Sequence, residues 1–155
     1  GIMVGPESEK TALVRHASRM FVVGANIETP LISVVIRKAY GLGAQAMAGG
    51  SFNSPLFTVT WPTGEFGGMG LEGAVKLGYR KELEAIKDPK KRVEAYEKMV
   101  ADSYQRGRAV NMASHFELDD VIDPAETRNW IMGGLKSLPA TKQRDGKKRP
   151  NIDTW

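Results

Sequence analysis

Few side chains in this sequence are spaced for covalent or acid–base chemistry. His16 and His115 lie far apart, and neither has the spacing of a metal ligand. His16 falls in an amphipathic helical stretch and His115 in a loop, so both read as surface or packing residues. Cysteine is absent, which excludes thiol catalysis, disulfides and cysteine metal sites. There is no G-x-S-x-G elbow and no P-loop. Gly68, Gly70 and Gly73 match G-x-G-x-x-G, but no full βαβ unit or later acidic residue supports a dinucleotide site. Asp119 and Asp120 are adjacent acids before a helix cap, and such acids are normally solvated.

With side chains set aside, the backbone offers chemistry. The apolar run Leu31–Ile36 is followed by Arg37-Lys38-Ala39-Tyr40, and the chain then passes through Gly41-Leu42-Gly43 into an alanine-rich segment. A strand that opens directly into a helix leaves amide N–H groups unpaired at the positive end of the helix dipole. Glycine lets another molecule approach those donors, because no Cβ intervenes. Such a turn suits an oxygen that gains negative charge during a reaction. Tight packing of helix on strand asks for the same small residues, so the turn by itself leaves both readings open.

Several elements must hold this turn. Pro6 with Glu7 and Glu9 opens a helix whose apolar positions Leu13, Ala17, Met20 and Phe21 carry it to about Gly24. Thr29-Pro30 launches a strand over 31–37, and a short helix over 42–48 ends at Gly49-Gly50. Residues 56–61 form a second strand without clean alternation, expected to be buried on both faces. A glycine-rich loop, 67–70, leads into a helix over 71–86. Asp88-Pro89 starts another, with Val93, Tyr96, Met99 and Val100 on one face. Val121-Ile122 is a short apolar step, and Asp123 with Glu126 predicts a capping box for a last helix reaching Gly133 or Gly134. From Pro139 the chain is polar and expected to lie along a surface.

This order gives an α/β class within one domain spanning 1–155. Two clear strands are too few to cover these helices, so the sequence is expected to be part of a larger fold. The 155 residues, 41% hydrophobic, carry a formal net charge of +4. Much of the excess sits in the terminal run Lys142–Pro150, which reads as a solvated tail; no aromatic alternation supports nucleic-acid binding. No run has the length of a membrane span, and a soluble cytoplasmic protein is the default expectation.

Several stretches together resemble one family. Arg37–Met47, "RKAYGLGAQAM", is similar to R-K-A-Y-G-G-A-x-x-x-M of the carboxyltransferase (β) subunits of biotin-dependent acyl-CoA carboxylases. The opening "GIMVG" resembles the end of P-G-F-x-x-G, and Trp61–Val75 resembles W-P-T-A-E-I-x-x-M-G-x-x-G-A-V. Asp119–Arg128 is similar to D-x-V-I-x-P-x-E-T-R, and "RPNID" to the family's closing segment. The resemblance implies a crotonase-like fold, with this chain covering the later part of the C-terminal lobe that receives biotin. An acyl-CoA-binding N-terminal lobe would be absent from it. The implied reaction moves a carboxyl group from carboxybiotin to the α-carbon of an acyl-CoA.

Under that resemblance the amide pair that stabilises the biotin ureido oxygen falls on Leu42 and Gly43. Leu42 stands where the family has Gly; the N–H survives the change if Leu can take the required backbone angles, with Gly41 and Gly43 supplying freedom. Tyr40 is expected beneath the turn, and Gly41, Tyr40, Trp61, Met69 and Gly70 on the biotin side. Gln45 falls at the position associated with acyl-chain preference. Biotin can take the α-proton itself, which fits the lack of Cys and of placed His. Implied partners are a biotin carboxyl carrier, biotin carboxylase and the rest of the carboxyltransferase, in a homo-oligomer. Two other readings stay open: another crotonase-like acyl-CoA hydratase or decarboxylase, and a non-catalytic assembly module for the biotin carrier.

Overall fold

The computed structural model describes residues 2–140. The terminal basic run, "RPNID" and most of the expected tail lie outside the described residues. Within them, helices pack on two small parallel sheets. The first sheet has the order β1 (Ile32–Val35), β3 (Phe57–Thr60), β5 (Asp120–Val121); the second pairs β2 (Lys38–Tyr40) with β4 (Glu65–Gly67).

The single strand expected over 31–37 is two. Trp61 N–H donates to Val35 C=O at 2.9 Å, and Glu65 N–H donates to Arg37 C=O at 2.7 Å. The chain therefore leaves one sheet at Ile36 and joins the other at Lys38, a change of partner that local periodicity does not report. β3 is the central strand, with all four residues buried as expected. Its threonines satisfy their hydroxyls internally: Thr58 Oγ1 donates to Phe52 C=O at 2.5 Å, and Thr60 Oγ1 to Val35 C=O at 3.0 Å.

The first expected helix is also split, into α1 (Pro6–Glu9) and α2 (Leu13–Asn26). Thr11 N–H and Oγ1 both return to Ser8 C=O, and Ala12 then takes φ 58°, which breaks the helical path. α3 (Gly41–Met47) lies close to the expected span. The helix read over 71–86 becomes α4 (Leu71–Gly78) and α5 (Arg80–Ala85), separated at Tyr79, whose φ of −107° and ψ of 24° are not helical. α6 (Pro89–Arg106) starts as predicted, with Asp88 accepting from the Lys90 and Lys91 amides. Tyr96, Met99 and Val100 are half-buried, while Val93 remains exposed.

β4 and α7 (Ala109–Ser114) have no counterpart in the sequence reading. Asp123 Oδ1 accepts from Ala125 N–H at 2.8 Å, but Glu126 accepts from Asn129 Nδ2 rather than closing a capping box. A 3-10 turn over Pro124–Glu126 precedes α8 (Thr127–Ser137), which continues past both glycines. Gly134 permits this, because a Cβ there would lie 2.5 Å from the Phe57 ring. Two apolar clusters result. One gathers Ala39, Phe66, Ala109 and Leu118; the other joins Phe57, Val59 and Ile122 to Trp61, Trp130 and Ile131. Among the described residues no helix is long and apolar enough to cross a membrane.

Candidate functional site

The β2–α3 turn lies between these sheets and the α1–α2 hairpin. Tyr40 ends β2 and caps α3 with extended angles, φ −114° and ψ 132°, and no side chain caps the helix. Gly41 follows at φ +57°, where a Cβ would lie 2.5 Å from Gly68 C=O. Glycine is required there twice over, by conformation and by the close approach. Leu42 then enters the first helical turn. Among the described residues only Ala12 and Phe116 combine a side chain with positive φ, so the leucine carries no left-handed strain. The amide N–H groups of Gly41, Leu42 and Gly43 belong to the first turn, where no intrahelical carbonyl precedes them. Leu42 is 64% exposed and Gly43 is buried.

A cavity of about 670 Å³ opens over this turn. One wall is largely apolar, from Ile2, Met3, Val4, Leu13, Val14, Ala17 and Phe21, with Glu9 and Ser18 among them; the other is Tyr40–Gly43 with Gly68, Met69 and Gly70. The structure therefore brings Tyr40, Gly41, Leu42, Gly43, Met69 and Gly70 together. It does not bring Trp61 there. Its ring packs against the Phe57, Val59 and Ile122 cluster, and its Nε1 donates to Thr127 Oγ1 at 3.0 Å. Gln45 also does not line this cavity. Its carbonyl accepts from the Ala48 and Gly50 amides at 3.0 and 2.8 Å, closing α3.

Beneath the turn the Tyr40 hydroxyl donates to Glu65 Oε2 at 3.0 Å. Burial, followed by this bond and the nearby negative charge, raises the phenol well above its ordinary value. A second pair lies close by: Tyr104 Oη donates to Glu72 Oε1 at 2.6 Å. That bond lowers the Glu72 carboxyl, assisted by Lys38 and Lys76, and raises Tyr104. Tyr96 Oη also reaches Glu72 C=O at 3.4 Å, so α6 is tied to the start of α4 and hence to the Gly68–Gly70 wall.

Sequence reasoning passed over Glu65, Glu72 and Tyr104. The partners of the two phenols are 25 and 32 residues away, beyond any local pattern. Asp119 and Asp120 are exposed, as expected, but Asp119 has a further part: its Oδ2 accepts from Thr58 N–H at 2.7 Å and extends the β3–β5 pairing. His16 and His115 are both exposed; His115 Nδ1 lies 2.7 Å from Asn111 C=O.

Residues 1–152 match the family model described as "Carboxyl transferase domain". The chain belongs to the carboxyl transferase family. It is 34% identical, over 98% of its length, to the propionyl-CoA carboxylase carboxyltransferase subunit of Haloferax mediterranei, and covers 29% of that protein. It is 33% identical, with the same coverages, to the methylmalonyl-CoA carboxyltransferase 12S subunit of Propionibacterium freudenreichii subsp. shermanii. A solved transcarboxylase 12S structure superposes with a TM-score of 0.77 at 30% identity, over 97% of this chain and 28% of that one. A single-chain, multi-domain long-chain acyl-CoA carboxylase is 56% identical, with a TM-score of 0.73, over 84% of this chain and 13% of that one. The chain thus spans less than a third of the length of the curated relatives it matches. Its fold is the crotonase-like carboxyltransferase fold, present as part of a domain.

Proposed function

We propose that this chain is the later part of the C-terminal lobe of a biotin-dependent acyl-CoA carboxylase carboxyltransferase, which moves a carboxyl group onto the α-carbon of an acyl-CoA. The observation that carries the reading is the β2–α3 turn, where uncapped amides border a largely apolar cavity. Carboxybiotin, when bound over this turn, would supply the carboxyl group and a base for the α-proton of the acyl-CoA. The Leu42 and Gly43 amides hold the ureido oxygen as it gains charge, worth about 3–4 kcal/mol per donor. Gly41 keeps the approach open, and a ligand seated against the largely apolar wall would displace water from the turn and so strengthen both hydrogen bonds. Tyr40, Met69 and Gly70 shape the cavity around the ligand.

The 56% identity to a long-chain acyl-CoA carboxylase supports a long-chain acyl-CoA as the substrate class, with Gln45 as the position to vary in testing chain preference. The partners are a biotin carrier, biotin carboxylase and the remaining carboxyltransferase, in an oligomer located in the cytoplasm.

The experiment is decarboxylation of malonyl- or methylmalonyl-CoA in the presence of free biotin. The complete carboxyltransferase is expected to turn over only with biotin, whereas the 155-residue chain alone is expected to be inactive. Turnover that ignores biotin would favour another acyl-CoA enzyme, and capture of biotinylated carrier with no turnover in the complete protein would favour an assembly module. In the complete protein Leu42→Pro removes one donor and is expected to lower kcat by about 100- to 1,000-fold, while Leu42→Ala keeps the N–H and most of the rate.

A further inference from the structure

The β2–α3 turn has little regular structure to hold it. β2 and β4 share only three register pairs, Lys38 with Glu65, Ala39 with Phe66 and Tyr40 with Gly67. α3 is seven residues long and no side chain caps it. Yet an oxyanion site works only if its donors are fixed before the charge develops. The direction of the Leu42 and Gly43 amides depends on the residue just before Gly41, the hinge at φ +57°. That residue is Tyr40, and its side chain is anchored.

We propose that Glu65 is a positioning residue for this turn: by accepting the Tyr40 hydroxyl it fixes the end of β2 and so aims the two amides. The inference rests on the carboxyltransferase reading for the role of those amides. Several features support it. The bond is a diagonal across the β2–β4 pair, from Tyr40 to the residue two positions before its register partner Gly67. It therefore resists both sliding and splaying of strands that have few rungs. The Tyr40 ring lies against β4, its Cδ1 3.6 Å from where a Cβ on Gly67 would stand, so ring and strand are in van der Waals contact. Gly68, one residue on, abuts Gly41 from the other side. The same short strand thus holds the turn by a side-chain hydrogen bond at one end and by backbone contact at the other. The raised phenol keeps its proton throughout the neutral range, so the donor is always present.

The test uses the complete carboxyltransferase polypeptide that carries this sequence, assayed for biotin-dependent decarboxylation of malonyl-CoA. Tyr40→Phe and Glu65→Ala are each expected to lower kcat by about tenfold while KM for the acyl-CoA changes by less than about twofold, since a misaimed donor weakens the transition state alone. The double variant should be no slower than the slower single variant. Glu65→Gln, which keeps a carbonyl acceptor, should recover most of the loss. Hydrogen–deuterium exchange of the peptide covering 38–47 should accelerate in Tyr40→Phe and return to the parent rate in Glu65→Gln. Tyr40→Phe deletes one oxygen and keeps the test intact if Glu65→Ala does not fold. Full kcat in Tyr40→Phe, losses that multiply in the double variant, or an effect confined to KM would overturn the proposal. A parent protein with no biotin-dependent turnover overturns the carboxyltransferase reading instead, and the exchange measurement then decides the positioning claim on its own.

Discussion

At the residue scale the site depends on two glycine requirements and one leucine that is free to vary. Gly41 needs both a positive φ and the absence of a Cβ, whereas Leu42 needs only its amide. Gly41→Ala would incur about 1–2 kcal/mol of left-handed strain, with the contact to Gly68 added. It is therefore expected to reduce kcat far more than Leu42→Ala in the same assay. Tyr40 also makes a pH prediction. Its pKa in the fold lies above the ordinary 10.0, so the unfolded chain loses the phenolic proton first. The associated stability is complete below pH 10.0 and declines as pH rises through the interval toward the folded value. Alkaline titration of the chain's four tyrosines by ultraviolet absorbance should show late-ionising phenols that denaturant abolishes. Tyr40→Phe should remove the last step, and an unchanged upper limb would contradict this assignment.

At the element scale, neighbouring residues of one type have opposite meanings because they face different sides. Gly133 and Gly134 sit together in α8, but a Cβ on Gly133 meets nothing within 4 Å, while one on Gly134 strikes the buried Phe57 ring. Gly133→Ala should raise stability by about 0.5–1 kcal/mol through helix propensity. Gly134→Ala should lower it by about 1–3 kcal/mol, because α8 must move away from β3. Denaturant midpoints of the two variants provide the check, and shifts of the same sign would refute this picture of the helix docking. The sequence suggested that the helix stopped at these glycines; packing, rather than termination, accounts for Gly134, and nothing in the structure explains Gly133.

At the scale of the whole molecule, β1 has β3 on one side and no strand on the other among the described residues. Its free edge lines a groove of about 640 Å³ with Ile32, Val34, Val35 and, from α3, Ala44 and Met47. Met3, Val4, Met47 and Leu42 are more than 60% exposed. An uncovered parallel edge beside apolar side chains is a template for association. Expressed alone, the chain should self-associate as its concentration rises, as sedimentation would show. Within the complete lobe that tendency should disappear. The groove also fits the proposed need for the rest of the carboxyltransferase, since Gly43 lines both this groove and the cavity over the turn.

Local chemistry made some of this legible without a structure. Gly41-Leu42-Gly43 ahead of an alanine-rich segment marked a strand-to-helix turn with open amides, Asp88-Pro89 marked the start of α6, and the apolar run at 56–61 marked a buried strand. Each depends on residues within a few positions of one another, where sequence spacing and spatial distance coincide. The ordered motifs identified the family. Contacts between residues far apart in the chain decided the rest. The exchange of β1 for β2 depends on which strand offers hydrogen bonds, and the short β4 is held by β2 on one side and by a bridge to Arg108 on the other. Trp61 carries a motif that pointed to the ligand, but its ring packs against the Phe57, Val59 and Ile122 cluster and its N–H donates to Thr127. Glu65 falls on the E of the W-P-T-A-E motif, but nothing local ties it to Tyr40, 25 residues earlier, until folding brings the two together. The donors proposed for this site follow from the order of residues; what holds them in place required the tertiary structure, because a hydrogen bond across a sheet is specified by register and not by sequence proximity.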